Sequence, residues 1–151
     1  MSVAIGLHIL SAIIWVGGMF FAYVILRPVA TRQLEPPARL TLWVACFDRF
    51  FVWVWLAVVI LPVSGYWMLF VVVGGMANAR LYIHLMQDVA WVMIGLFVYL
   101  YFVLYRRLED AVGADDWRTG GQALTMIRRI VATNLLLGLS TAVIATAGRH
   151  L

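Results

Sequence analysis

Two histidines lie near the starts of long apolar segments, where ionisable side chains are rare and usually functional. His8 belongs to the run MSVAIGLHILSAIIWVGG, and His84 belongs to the run LYIHLMQDVAWVM. Each lies about four or five residues inside its segment, which corresponds to about 6–8 Å of helix. Helices that run in the same direction would therefore hold both imidazoles at one depth. The third histidine, His150, follows the last apolar segment at the same predicted end.

Imidazoles from two such helices predict a haem b with His8 and His84 as the axial ligands of its iron. A protein of this kind would have a redox or electron-transfer role at one face of the membrane. Gly18 would let a flat ring approach the first helix, although ordinary helix packing explains that glycine equally well. The alternative for each histidine is a neutral ring that hydrogen-bonds to a neighbouring helix.

Charged residues near the histidines extend the haem prediction. Asp88 follows His84 by one helical turn, so its carboxylate would accept the ring proton of His84 and fix the tautomer. A protonated, hydrogen-bonded Asp88 is the alternative. Arg80 and Arg149 each lie within four residues of a histidine and would bind the haem propionates. The alternative is that both arginine side chains extend to the phosphates of the lipid headgroups.

Copper is the competing ligand for the same histidines. Thioethers and imidazoles together suit Cu(I), and Met76 and Met86 lie toward the same end as His8 and His84. A copper-binding or copper-transporting protein is therefore the alternative prediction. The single cysteine, Cys46, excludes an internal disulfide and a cysteine-pair metal site.

Composition decides which elements position these residues. Of the 151 residues, 65% are hydrophobic and 12% are charged, which is more apolar surface than a water-soluble domain of this length buries. The sequence therefore predicts an integral membrane protein. The net charge of +4 comes from arginines that cluster at the ends of apolar segments. That pattern is typical of membrane orientation and not of nucleic-acid binding.

Four apolar segments are long enough to cross a bilayer as helices, since the hydrocarbon core requires about 20 residues. The predicted spans are residues 3–26, 50–73, 81–105 and 130–147, with the second helix extended from about residue 40. Charged and turn-forming residues predict connections at RPVATRQLEPPAR, GGMANAR and RRLEDAVGADDWRTGGQ. The sequence thus predicts an all-α membrane protein, an antiparallel four-helix bundle that forms one domain.

Arginine positions predict the orientation of this bundle. Nine of the eleven arginines lie on the side of the first and third connections, and only Arg80 and Arg149 lie on the other. The positive-inside rule then places the arginine-rich side in the cytoplasm and both termini in the periplasm of a bacterial inner membrane. The lipid bilayer is the first predicted partner. A redox partner or a quinone is compatible with the sequence, as is a homo-oligomer.

At three stretches the sequence resembles the copper-resistance D (CopD) family of bacterial inner-membrane proteins. They are HILSAIIWVGGMFFAYVILRP, YIHLMQDVAWVM and IRRIVATNLLLGLSTAVIATAGR. The pattern H-x6-W-x-G-G, formed by His8, Trp15, Gly17 and Gly18, is the most specific part of the resemblance. It adds Trp15 to the predicted cofactor-binding residues. The resemblance implies a link to copper uptake or resistance.

The sequence is also similar to the haem-containing membrane protoporphyrinogen oxidases of bacteria. The histidines of that family match His8 and His84, which implies haem binding. The lysine of its third helix is replaced by Met86, and the chain has no lysine. This difference argues against porphyrinogen-oxidising activity. A haem-dependent membrane oxidoreductase is then the enzyme that the resemblance implies.

Overall fold

Four long helices account for most of the chain, and the computed structural model describes residues 2–148 of the sequence. Their bounds are Ser2–Gln33 for α1, Pro36–Val73 for α2, Leu81–Gly113 for α3 and Trp117–Ala147 for α4. Each helix is long and apolar enough to cross a membrane, which confirms the prediction of four spans. A 3₁₀ turn at Met76–Asn78 lies between α2 and α3.

On the arginine-rich side the helices continue well past the predicted spans. α4 begins at Trp117 instead of residue 130, and α1 continues through Pro28. The two predicted connections on this side are therefore mostly helical, since only Leu34 and Glu35 separate α1 from α2 and only residues 114–116 separate α3 from α4. Charged residues mark the edge of the hydrocarbon core, but they do not end a helix that packs on other helices.

Three of the long helices contain short π-helical segments, in which the turns are wider than in an α-helix. π-helical segments occur within α1, α2 and α3 at Phe21–Leu26, Leu69–Val73 and Leu100–Tyr105. After the first of them, the Arg27 N–H donates to the carbonyl of Ala22, five residues back. Pro28 then stands at the start of the next α-helical turn, where its missing N–H costs least. Pro28 therefore does not end α1.

The core lies where all four helices meet. The most deeply buried large side chains, each less than 2% exposed, are Val54, Leu108, Leu124 and Ile127. Aromatic rings fill the adjoining layer, in which Phe51 contacts Phe97 and Tyr105 edge-to-face at centroid distances of 5.6 and 5.0 Å. Many large apolar side chains face outward instead, such as Leu81 at 74% and Leu136 at 67% exposure. Lipid tails would cover such a surface.

One polar residue and one glycine of α4 make close contacts with the neighbouring helices. The Asn134 side chain, 2% exposed, donates from Nδ2 to the Met93 carbonyl of α3 at 3.1 Å. One turn later Gly138 packs so closely on α1 that a Cβ atom there would lie 2.7 Å from Val16 Cγ2. Interhelical hydrogen bonds and small residues are common means by which membrane helices associate.

The turn before α4 has the geometry of a capped helix start. Asp115 has a φ of 56°, in the left-handed region that aspartate tolerates better than most residues. The carboxylate of Asp116 then accepts a hydrogen bond from the Thr119 N–H at 3.0 Å. Because this bond favours the charged carboxylate, it lowers the pKa of Asp116 from its ordinary value.

We expect the cap to make a small, pH-dependent contribution to stability. Asp116→Ala should lower the thermal unfolding midpoint in detergent at neutral pH, because the Thr119 N–H loses its acceptor. The stabilisation is present above the ordinary carboxyl pKa of about 4 and is lost as the pH falls through the lowered pKa of Asp116.

The matched control is Asp116→Asn, since asparagine also caps helices but does not titrate. This variant should keep the midpoint of the unchanged protein at neutral pH and lose this part of its pH dependence. If Asp116→Ala has the same neutral-pH midpoint as the unchanged protein, the cap contributes nothing.

Candidate metal-binding site

His8 lies on α1, partly buried against the C-terminal half of α2. Its Nδ1 atom is 2.9 Å from the hydroxyl oxygen of Ser64, a side chain that is 6% exposed. Gly65 lies beside the same ring, since a Cβ atom at Gly65 would be 3.4 Å from His8 Cε1. The serine thus holds one ring nitrogen, and the glycine leaves room for the imidazole.

The hydrogen bonds of Ser64 favour the tautomer of His8 that carries its proton on Nδ1. The Ser64 hydroxyl donates to the Ile60 carbonyl at 2.5 Å, a bond that serine commonly forms within a helix. Since its only proton is then used, the Ser64 oxygen accepts the bond from His8 Nδ1–H. The Nε2 atom of a neutral His8 therefore keeps its lone pair, which is the form in which histidine binds a metal.

His84 lies on α3, one turn before a side chain that joins α3 to α2. There Gln87 donates a hydrogen bond from Nε2 to the hydroxyl of Tyr66. Tyr66 follows Ser64 by two residues, so this contact occurs at the same end of α2 as the His8 bond. The ring of His84 is partly buried. The structure therefore brings the segments that carry both histidines to one end of the bundle.

Asp88 and Arg80 are the other described site residues that were predicted near that end. Asp88 is exposed, and within residues 2–148 it forms no hydrogen bond with His84, so the predicted orientation of the ring by this carboxylate is not observed. Arg80 is exposed directly before the first residue of α3. Arg149 and His150 lie outside the described residues, and the predictions for them stay predictions.

Trp15 and Gly18 pack within the bundle. The Trp15 side chain is 3% exposed, and its ring contacts that of Phe97 edge-to-face at 6.1 Å. The ring of Phe50 from α2 occupies the space beside Gly18 where a Cβ atom would project. The flat ring that approaches Gly18 is thus a phenylalanine. The cavity next to Trp15 has a volume of about 30 Å³, enough for about two water molecules, and it is lined by Arg27 and Arg128 but by neither histidine.

Methionines supply further metal-binding atoms at the histidine end. Met76 is 42% exposed in the 3₁₀ turn, and Met86 is partly buried on α3. Among residues 2–148 no three histidine, cysteine, aspartate or glutamate side chains converge on one point. The metal-binding atoms of the histidines and methionines at this end are imidazole nitrogens and thioether sulfurs. That soft donor set suits Cu(I) better than it suits calcium or magnesium.

Ser64 is a candidate that the sequence patterns do not single out. It stands in the stretch VSGYWM near the C-terminal end of α2, where a hydroxyl within an apolar span needs a hydrogen-bond partner. Met68 follows Ser64 by one helical turn, on the same side of the helix. This face of α2 thus carries the acceptor for His8 and, one turn on, a thioether.

Comparison with protein families identifies a match over most of the chain. The family described as "Copper resistance protein D" (CopD) matches residues 44–148. This range contains Ser64 and His84 but neither His8 nor Trp15. No curated protein and no solved structure matches the sequence. The predicted similarity to the protoporphyrinogen oxidases has no support from these matches and stays a prediction.

Proposed function

The chain belongs to the copper resistance protein D family, and on that premise we propose that it binds a copper ion as cargo at the histidine end of its helix bundle. The observation that carries the proposal is the hydrogen bond between His8 Nδ1 and Ser64, which leaves the Nε2 lone pair of His8 available. A multi-pass membrane protein with such an imidazole can accept a metal ion at the membrane surface.

The proposed ligands are nitrogen and sulfur atoms from α1, from α3 and from the 3₁₀ turn between α2 and α3. His8 Nε2 is the first ligand, because its tautomer is already set for metal binding. His84 and Met86 on α3 are the next candidates, and Met76 in the 3₁₀ turn would supply an exposed thioether. Imidazole and thioether together favour Cu(I) among the common metals of the cell.

The proposed orientation places the copper site on the periplasmic side of the inner membrane. His8 lies beside Ser64 while Gly18 lies beside Phe50, so later residues of α1 meet earlier residues of α2. This pairing supports the antiparallel arrangement. The many arginines at the opposite end support a cytoplasmic location for that end and a periplasmic location for both termini.

A haem b bound by His8 and His84, with an electron-transfer role, is the other candidate. The free Nε2 of His8 would suit haem iron as well as it suits copper. The family match favours copper, since the family described as copper resistance protein D covers residues 44–148. A single sample distinguishes the two candidates, because haem absorbs strongly in the Soret region and Cu(I) does not.

We expect the full chain, purified in detergent and loaded anaerobically with Cu(I), to retain about one copper ion per chain after desalting. Elemental analysis measures the copper, and an absorption spectrum of the untreated sample measures haem. A copper content near zero contradicts the copper proposal. A Soret band in the untreated sample, together with no copper, would instead support the haem candidate.

A further inference from the structure

Three arginines differ from the other described arginines in being partly buried. They are Arg27 of α1, Arg39 of α2 and Arg128 of α4, whereas every other arginine between residues 2 and 148 is exposed. The charges of Arg27 and Arg39 both repel that of Arg128, and Arg27 and Arg128 line the same cavity. The fold therefore gathers three positive charges from three helices into one place, the arginine cluster.

The arginine cluster has no acidic partner within the part of the chain that the structure describes. The ion pair found there joins Arg106 to Glu109 at 3.2 Å, outside the cluster. The Nε atoms of Arg39 and Arg128 are buried, and neither donates to an acceptor among residues 2–148. The Arg27 guanidinium does lie over the ring of Tyr23, 5.0 Å from its centroid. The two buried Nε donors and the three like charges nevertheless have no anionic partner among the described residues.

This arrangement is unfavourable without a ligand for two reasons. Like charges repel each other more strongly where protein and lipid replace water. A buried N–H group that has left water and found no acceptor also raises the free energy of the folded state. An anion with several oxygen atoms, bound at the accessible ends of the guanidinium groups, would offset the first of these costs.

We propose that the arginine cluster binds a phosphate group, carried either by the headgroup of an anionic phospholipid or by inorganic phosphate from the aqueous phase. Guanidinium groups match phosphate oxygens with paired hydrogen bonds. Arg27 and Arg128 lie at the edges of the predicted spans 3–26 and 130–147, at the depth of lipid headgroups. Basic pockets between membrane helices on the cytoplasmic side bind such headgroups.

The neighbouring cavity is too small to hold the phosphate, so the phosphate would lie outside it. The cavity lined by Arg27 and Arg128 measures about 30 Å³, which is too small for a phosphate group and its oxygens. All three arginines keep part of their surface exposed. The phosphate therefore binds at the outer side of the cluster, where the ends of the guanidinium groups remain accessible.

Native mass spectrometry of the delipidated full chain in detergent tests the proposal, with phosphatidylglycerol and inorganic phosphate titrated separately. We expect one ligand to bind per chain. Arg128→Gln should weaken that binding at least about tenfold, the effect of losing one charge-assisted hydrogen bond. The matched control is Arg129→Gln, which removes the neighbouring exposed arginine and should change the affinity less than about twofold.

The two titrations identify the source of the phosphate. Binding of phosphatidylglycerol alone assigns the site to lipid, binding of inorganic phosphate alone assigns it to a soluble ligand, and binding of both shows recognition of the phosphate itself. The proposal is overturned if neither binds, or if Arg128→Gln and Arg129→Gln weaken binding equally. Arg39→Gln is the second variant. Each arginine variant removes one like charge, so its unfolding midpoint without ligand should not be lower than that of the unchanged protein. This midpoint also shows whether the variant folds.

Discussion

Replacing His8 by alanine should weaken Cu(I) binding by about 100-fold or more, because the variant loses an imidazole whose Nε2 atom the Ser64 hydrogen bond leaves free. Loss of a residue that only orients a ligand typically costs about 10–100-fold in metal affinity, and loss of the ligand should cost at least as much. Competition with a chromogenic Cu(I) chelator measures the affinity. An affinity that does not change in His8→Ala would remove His8 from the site.

Ser64→Ala should weaken Cu(I) binding less than His8→Ala does, by about tenfold. The variant keeps the ligand but removes the acceptor that holds the proton on Nδ1. The matched control is Ser11→Ala, which removes a buried hydroxyl from α1, one turn after His8. This control should bind copper as the unchanged protein does. Equal losses in both serine variants would show that the Ser64 hydrogen bond does not orient the metal ligand.

Gly138→Ala should destabilise the protein, whereas Gly95→Ala should stabilise it slightly. The added Cβ at Gly138 would lie 2.7 Å from Cγ2 of Val16, a β-branched side chain with little freedom to move. Overpacking of this kind costs about 1–3 kcal/mol. Removing a helical glycine gains up to about 1 kcal/mol. At Gly95 only the gain applies, since no atom lies within 4 Å of the new Cβ.

Thermal unfolding in detergent measures both variants, and the opposite signs of the two shifts are the test. A second substitution identifies the responsible contact. Val16→Ala removes the methyl group that the new Cβ meets, so it should restore part of the lost midpoint when combined with Gly138→Ala. If Gly138→Ala is as stable as Gly95→Ala, α1 and α4 do not pack as closely as the structure describes.

The number of helices follows from the sequence, but their ends do not. Four apolar runs are visible because each side chain that faces lipid must be apolar. Beyond the hydrocarbon core the requirement disappears, and polar stretches such as RRLEDAVGADDWRTGGQ can be helix or loop. Packing between helices decides between the two, and a single sequence does not show that packing.

The candidate site, too, could be predicted from the sequence only in part. His8 stands out by residue type, because an imidazole in an apolar run is unusual. Its partner Ser64 lies 56 residues away, and only the packing of α1 on α2 brings the two together. Gly18 likewise signals a close approach of some group to α1, but the sequence does not reveal that the group is the ring of Phe50.

The helical extensions beyond the spans make the two ends of the molecule physically different. Leu108, Leu124 and Ile127 are less than 2% exposed, and all three lie outside the predicted hydrocarbon core. Burial from water stabilises this end, as it does in a soluble helical protein, whereas helices within lipid gain nothing by hiding apolar groups from tails that are equally apolar. A thinner bilayer or a harsher detergent should therefore loosen the membrane-embedded half around His8 first, while the helices of the arginine-rich half stay packed together.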